Sequence, residues 1–425
     1  MNAVYTQAFA TGGSISVEFN NNRQTTNSPF IFLSPALNSY FRVTLQQPIL
    51  AGFGFGPNLR YLRIAKNNKK ISDIAFRDQV IATITQIENM YWDLVSAYEE
   101  ARVNEQSLAF ADQSLENAKK QLQLESIPAI DVMKAEAEVS KRDQDLTVAR
   151  TTLELQQSLM KNALTKSLDD AALEEMPVVP TDRMQNASSE GAASEPIADL
   201  IAEGLRNRPE LLETDVDLLN RQISRDAARN ALLPSLSLVG YYGASGLGGL
   251  VPPGISTQSS APTDLPGTWQ NTFNNSSPDY FVGFNLNIPF RNRVAKADQY
   301  RSELEYRQAS LRREQLKKQI RIDVRNAQYA LEQSQARVDS ALKARDLAQR
   351  TFEITRKEQE LGSGSSFQTL TAQRDLSMAE LDLVTAITTY EKARVELDRA
   401  TGMTLDHNGV VIRDAVSGTV TTSAP

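Results

Sequence analysis

Histidine and cysteine supply many active sites, and this chain is nearly empty of both. Its 425 residues contain one histidine, His407, and no cysteine. Thiol nucleophiles, disulfides, thiolate metal centres and lipidated cysteines are therefore excluded within it. Imidazole acid–base or metal chemistry would rest on a single side chain near the C-terminus, where a free tail histidine is the expectation. The eight methionines form no cluster, so a thioether relay has no basis. No P-loop sequence is present, which removes that route to nucleotide hydrolysis. Gly12-Gly13 and the glycines from Gly246 to Gly254 read as loops, without the helix start that a phosphate cradle needs. The reading is of no enzyme, no cofactor and no metal site.

Aromatics at 7% and charged residues at 23% fit a folded, water-contacting protein, and a net charge of −7 argues against a nucleic-acid surface, which needs a basic patch. No apolar run approaches the roughly 18 residues of a membrane-spanning helix. Met1 to Ala10 show no basic stretch followed by an apolar core, so no signal peptide is read there.

The dominant feature is duplication. Phe41, Val43 and Leu45 alternate with Arg42, Thr44 and Gln46 before Pro48, and a helical run begins around Asn58. In the second half Val282, Phe284, Leu286 and Ile288 alternate with Gly283, Asn285 and Asn287 before Pro289, and a helix begins around Asn292. Ala101-Arg102-Val103 answers Ala336-Arg337-Val338, and Leu124 with Ala135 answers Leu361 with Ala372. Solenoid repeats span roughly 20–50 residues, so a unit this long is a duplicated half-domain. Helical spacing from Pro196 to Leu233, interrupted at Pro209, precedes the second copy and has no counterpart before the first. The expectation is that a signal peptide and helical sequence belong upstream of Met1.

Asn58 to Leu124 has no internal proline or glycine and as one helix would reach roughly 100 Å. Ile87, Leu94, Ala101, Leu108, Leu115 and Leu122 recur every seven residues, with Ile84, Tyr91 and Tyr98 on a neighbouring row. Such spacing predicts lengthwise packing as a coiled coil. A return helix from Ala129 to Leu168 and a second hairpin, Asn292–Leu361 with Phe367–Thr401, look alike. The row Ala327, Ser334, Ala341 and Ala348 is small enough for close backbone approach. Arg345, Asp346 and Arg350, with Asp112, Lys119 and Lys120, read as solvated faces.

Ile15, Val17 and Phe19 alternate with Ser14, Ser16, Glu18 and Asn20. Together with the strands above and that of Leu236 and Leu238, this gives four amphipathic strands, two per repeat, joined by loops at Asn21–Asn38 and Ser245–Pro278. Alternation suits either a soluble sheet on a core or a barrel with lipid outside and water inside. Four strands cannot close alone, and lipid tolerates no open edge. Three protomers would supply twelve strands, and the same operation would ring twelve helices into a tube.

These residues carry a resemblance to the TolC-like outer membrane efflux protein family of Gram-negative envelopes. They are Leu45-Gln46-Gln47-Pro48-Ile49 with Gly52, Leu286-Asn287-Ile288-Pro289-Phe290, Asn207-Arg208-Pro209-Glu210-Leu211 leading to Leu233-Pro234-Ser235-Leu236, and Leu361-Gly362 followed by Leu370, Ala372 and Gln373. The resemblance implies a mainly α fold with membrane β: a homotrimer with a twelve-stranded β-barrel in outer membrane lipid, on an α-helical barrel extending into the periplasm. It implies passive export of substrates delivered by an inner-membrane pump and a periplasmic adaptor, and no cofactor. Adaptor docking falls on the hairpin turns Glu125-Ser126-Ile127-Pro128 and Leu361-Gly362-Ser363-Gly364, and strand-to-helix junctions on Pro48, Gly52 and Pro289.

Two departures stand out. Glu125 lies where the family commonly has glycine, and Pro128 follows, a residue that also stops one helix and admits the next. The tunnel entrance, where some members place paired carboxylates, has Gln368 and Thr371 in one repeat and Asp131 followed by Lys134 in the other. A weak acidic ring from Asp131 is expected if it faces the lumen, the alternative being a helix-start charge favoured by the helix dipole.

Six segments follow: 1–57, first strand pair; 58–168, first hairpin; 169–233, equatorial segment and helices; 234–291, second strand pair; 292–402, second hairpin; 403–425, tail, with Val416 to Pro425 disordered. The alternative function is a periplasmic coiled-coil scaffold or adaptor, which leaves four half-apolar strands unexplained.

Overall fold

The computed structural model describes residues 2–28, 30–165, 176–182, 196–252, 260–274, 277–361 and 363–412. In chain order these form β1 (Ala3–Ala8), β2 (Ser14–Gln24), β3 (Ala36–Pro48), α1 (Phe55–Asn58), α2 (Arg60–Gln123), α3 (Ala129–Leu164), α4 (Ile197–Asn207), α5 (Pro209–Asn230), β4 (Ser235–Gly249), α6 (Leu265–Phe273), β5 (Pro278–Asn287), α7 (Arg293–Glu360), α8 (Ser366–Thr401) and α9 (Thr404–His407). The duplication is visible in length: α2 and α3 have 64 and 36 residues, α7 and α8 have 68 and 36. The chain divides into two compact units, Met1–Ser72 with Glu213–Arg313 and Asp73–Leu212 with Glu314–Pro425.

The first unit holds one antiparallel sheet in the order β1-β2-β3-β4-β5. Register places Ile15 opposite Leu45, Val17 opposite Val43 and Phe19 opposite Phe41. Tyr242 lies opposite Val43, and Leu286, Phe284 and Val282 face Leu236, Leu238 and Gly240. Because side chains alternate, one face collects these apolar residues and the other takes Ser16, Glu18, Arg42 and Thr44.

Two expectations are corrected here. The sheet has five strands, not four, since Ala3–Ala8 pairs with Ser14–Phe19. β4 continues to Gly249, into the stretch read as loop from Ser245, and that loop also contains α6. The glycines serve a close approach: a Cβ on Gly246 or Gly248 would collide with Thr268, so only bare backbone seats the helix. Thr268 and Thr272 are buried on it, and Asp264 caps α6 by accepting from the Gly267 amide at 3.2 Å.

In the second unit, Ala118, Val132 and Ala135 pack α2 on α3 with Leu115, Leu122 and Ile127 around them. Val338, Ala341, Ala386 and Ile387 join α7 to α8. Leu94 and Ala101 are buried, as are Ala327, Ser334 and Ala341, so the first heptad row and the small row face the packing. On the neighbouring row Ile84 and Tyr91 are half-buried and Tyr98 is exposed, while Ala97, Ala111 and Ala118 are buried beside it. A third cluster gathers Leu200, Leu211, Ile320, Val324 and Ala400. Gly204 is needed there, where a Cβ would lie 3.1 Å from both the Ala400 carbonyl and Val324 Cγ2.

The charged faces Asp112, Lys119, Lys120, Asp346 and Arg350 are exposed. His407 is not a free tail residue: it closes α9, and its Nδ1 lies 3.0 Å from Asp398 Oδ1. The expected end of α3 at Leu168 and the disorder expected over Val416–Pro425 both fall outside the described residues. Among the described residues no helix is long and apolar enough to cross a membrane, and no group of three or more metal-ligating side chains occurs.

Candidate functional site

The polar face of the sheet carries one charged constellation. Arg42 Nη2 lies 3.1 Å from Asp279 Oδ2, and its guanidinium sits 4.6 Å from the Tyr241 ring centre. Tyr241 in turn stacks on Phe281 and donates to Asp279 Oδ1 at 3.3 Å. Arg42 pairs in register with Gly243, which pairs with Asp279, so the missing side chain on β4 lets the guanidinium cross a strand. The alternation around Arg42 gave its face, but its partner, 237 residues away, was not legible.

The apolar face is bare along its β5 edge, while Ile15, Val17, Val43 and Leu238 on the inner strands are half-buried. Tyr280, Val282, Phe284 and Leu286 of β5 are 57–78% exposed. At one end α6 covers it: Phe273 stacks on Phe19 and tilts against Phe41, and Trp269 meets Phe19 edge-on while its Nε1 donates to Asn21 Oδ1 at 2.6 Å. An indole with one end apolar and the other hydrogen-bonded suits a membrane–water boundary.

Two of the junction residues, Gly52 and Pro289, come together at an open cleft. Pro48 closes the last rung of β3 against Ser237. Gly52, Asn230 and Pro289 line the cleft. Gly52 has φ +82°; its amide donates to Asn230 Oδ1 at 2.8 Å and its carbonyl accepts from Asn58 Nδ2 at 2.7 Å. The second repeat makes its bend with Arg291 and Asn292, both at positive φ, and Asn292 Nδ2 donates to the Leu232 carbonyl at 3.3 Å.

At the first hairpin turn Glu125 has φ +54°. Its amide donates to the Leu122 carbonyl and that of Ser126 to Gln121, each at 2.9 Å. This is the Schellman arrangement, in which the left-handed position favours glycine. Ile127 packs into the cluster below, and Pro128 stands at the N-cap of α3. At the second turn Leu361 is 84% exposed, and the Ser363 and Gly364 amides both donate to the Glu358 carbonyl at 3.0 Å. Gly362 lies outside the described residues.

The entrance residues are engaged locally. Asp131 sits in the first turn of α3 and pairs with Lys134 at 3.0 Å. Gln368 Oε1 accepts from the Ser365 amide, completing a capping box, and Thr371 Oγ1 donates to the Phe367 carbonyl at 2.9 Å. Lys134 Nζ lies 6.0 Å from the Phe367 ring centre, which brings the starts of α3 and α8 together.

A second charged group explains part of the Asn207-Arg208-Pro209-Glu210-Leu211 motif. Arg208 bonds Glu210 at 2.6 Å and Asp323 at 2.9 Å. Burial opposes the Glu210 charge, but Arg208 outweighs it and holds that carboxyl below its ordinary range. Asp78 is raised, by burial first and then by Glu210.

Residues 200–403 match the family model described as outer membrane efflux protein. No curated protein matches the chain at significant similarity. Solved structures similar in fold include CusC, with a TM-score of 0.68 and 18% identity over 92% of this chain and 84% of that one. The Campylobacter jejuni CmeC outer membrane channel gives 0.67 and 17%, over 99% and 83%. The Neisseria gonorrhoeae MtrE outer membrane channel in its open state gives 0.65 and 17%, over 93% and 82%. Residues 200–403, just under half of the chain, are thus similar to the outer membrane efflux protein family, and the solved structures share the fold of nearly the whole chain.

Proposed function

We propose that three copies of this chain close one β-barrel in the bacterial outer membrane, continued into the periplasm by their helices. The assembly exports substrates passively, without enzymatic activity. An inner-membrane pump supplies the cargo, and a periplasmic adaptor docks on the turns at Glu125–Pro128 and Leu361–Gly364.

The observation that carries the reading is the two-faced sheet. Its apolar face leaves Tyr280, Val282, Phe284 and Leu286 uncovered while its other face gathers Arg42, Asp279 and Tyr241. Such a sheet is costly in water on one side and in lipid on the other, and closure with lipid outside and a wet lumen inside satisfies both. Lipid requires that no strand edge stay open, which a threefold ring of β2–β5 achieves.

Electron microscopy of the detergent-extracted protein, with conductance in planar bilayers, tests this. Hollow threefold cylinders that conduct ions are expected. Solid monomeric or dimeric rods that need no detergent would replace the reading with a coiled-coil scaffold.

A further inference from the structure

We infer that β1 is a detachable edge strand, covering β2 in the lone chain and giving way to β5 of a second copy when the barrel closes. The inference rests on the trimeric reading above and concerns only the sheet.

Direction decides the point. The pairs β1–β2 through β4–β5 are all antiparallel, so β1, β3 and β5 run one way and β2 and β4 the other. Rotation about a barrel axis preserves strand direction. With β1 in place, β5 of one copy would therefore meet β1 of the next in parallel, a seam foreign to an up-and-down barrel. With β1 removed, β5 meets β2 antiparallel like every other pair.

Length and chemistry agree. β1 pairs six residues of β2, Ser14–Phe19, and its ladder stops short of Asn20–Gln24, where the Asn2 side chain takes the Asn21 amide at 2.8 Å in place of a strand. β5 has ten residues against the eleven of β2, so the exchange extends the ladder. Every residue of β1 is exposed, so releasing it uncovers little packed surface. On the apolar face β1 offers Tyr5 against Val17, whereas β5 would bring Val282, Phe284 and Leu286 beside Ile15, Val17 and Phe19, the aromatic and branched pairing that stabilises sheets. The outer edge of β5 is meanwhile long and apolar, which a sheet protein must cover.

A cross-link tests this. Thr6 and Ser16 are register partners, their spacing suits a disulfide, and the chain has no other cysteine to interfere. In Thr6→Cys/Ser16→Cys, oxidation is expected to lower the trimer yield at least tenfold and abolish conductance, and reduction to restore both. A second variant, Tyr5→Pro/Thr6→Pro, removes the amide of whichever residue faces β2 and is expected to trimerise several-fold faster than the unmodified chain. Equal trimer yield from oxidised and reduced protein, with the cross-link verified by mass spectrometry, would overturn the inference and leave the trimer intact. So would proline variants that assemble no faster. If the unmodified chain forms no trimer at all, the functional reading fails and this inference falls with it.

Discussion

Arg42 reaches Asp279 across the bare backbone of Gly243, joining β3 to β5 over the strand between them. Both side chains are about half exposed, so the pair itself contributes at most about 1 kcal/mol, and Arg42→Ala should change unfolding by no more than that. Gly243 matters more. A Cβ there would lie 2.6 Å from the Phe41 carbonyl, and Gly243→Val should cost about 2 kcal/mol through strain. In bilayers Arg42→Ala should shift selectivity toward cations while leaving trimer yield unchanged.

Glu125 holds a left-handed conformation that costs an L residue about 1 kcal/mol or more. Glu125→Gly should stabilise the first hairpin by about 1 kcal/mol, read as a higher unfolding midpoint in denaturant. If the turn is an adaptor contact, the same variant separates stability from docking, because binding would change in the opposite sense to stability.

The Arg208 network predicts an acid limb. Glu210 has a folded-state pKa below its unfolded value, so its contribution is present above the unfolded pKa and is lost as pH falls through the folded one. Arg208→Met leaves Glu210 and Asp323 without their shared cation and should cost about 2 kcal/mol at neutral pH. Unfolding curves at pH 7 and pH 3 should show that cost shrinking in acid.

Glu380 has the opposite sign. Burial raises its pKa against the pull of Arg345 and Arg102, so its contribution is favourable below the unfolded pKa and disappears as pH rises through the folded one. Glu380→Gln should raise the midpoint at pH 7 and leave it nearly unchanged at pH 4. A lower midpoint at pH 7 would mean that its attraction to the two arginines exceeds the desolvation penalty.

Asp131 and Lys134 form a pair, which mutes any acidic ring at the proposed entrance. Lys134→Ala should therefore increase cation selectivity more than Asp131→Asn decreases it. Reversal potentials under a salt gradient measure both, and identical values in the two variants would remove Asp131 from the lumen.

Much of the fold was legible because periodic signals survive in a single sequence. The seven-residue spacing through Leu94 and Ala101 and the small row through Ser334 and Ala341 correspond to buried faces. β1 was not legible because its bulky residues, Val4 and Tyr5, are adjacent and fall on opposite faces, so no alternation marks it. The extension of β4 was hidden because glycine signals loop unless its reason is known, and that reason is Thr268, about twenty residues later. The left-handed glycine position at Glu125 was marked through family likeness, whereas the pairing of His407 with Asp398 needed a tertiary contact.

The uncovered apolar residues that alternate along β5 and just past its end run from Tyr280 to Ile288, roughly 27 Å along a strand and about 20 Å along the bilayer normal at the tilt of a closed barrel. That is slightly under the roughly 25 Å apolar band of such barrels. A barrel walled by such strands would sit with little strain in a thin membrane and would cost mismatch energy in a markedly thicker one.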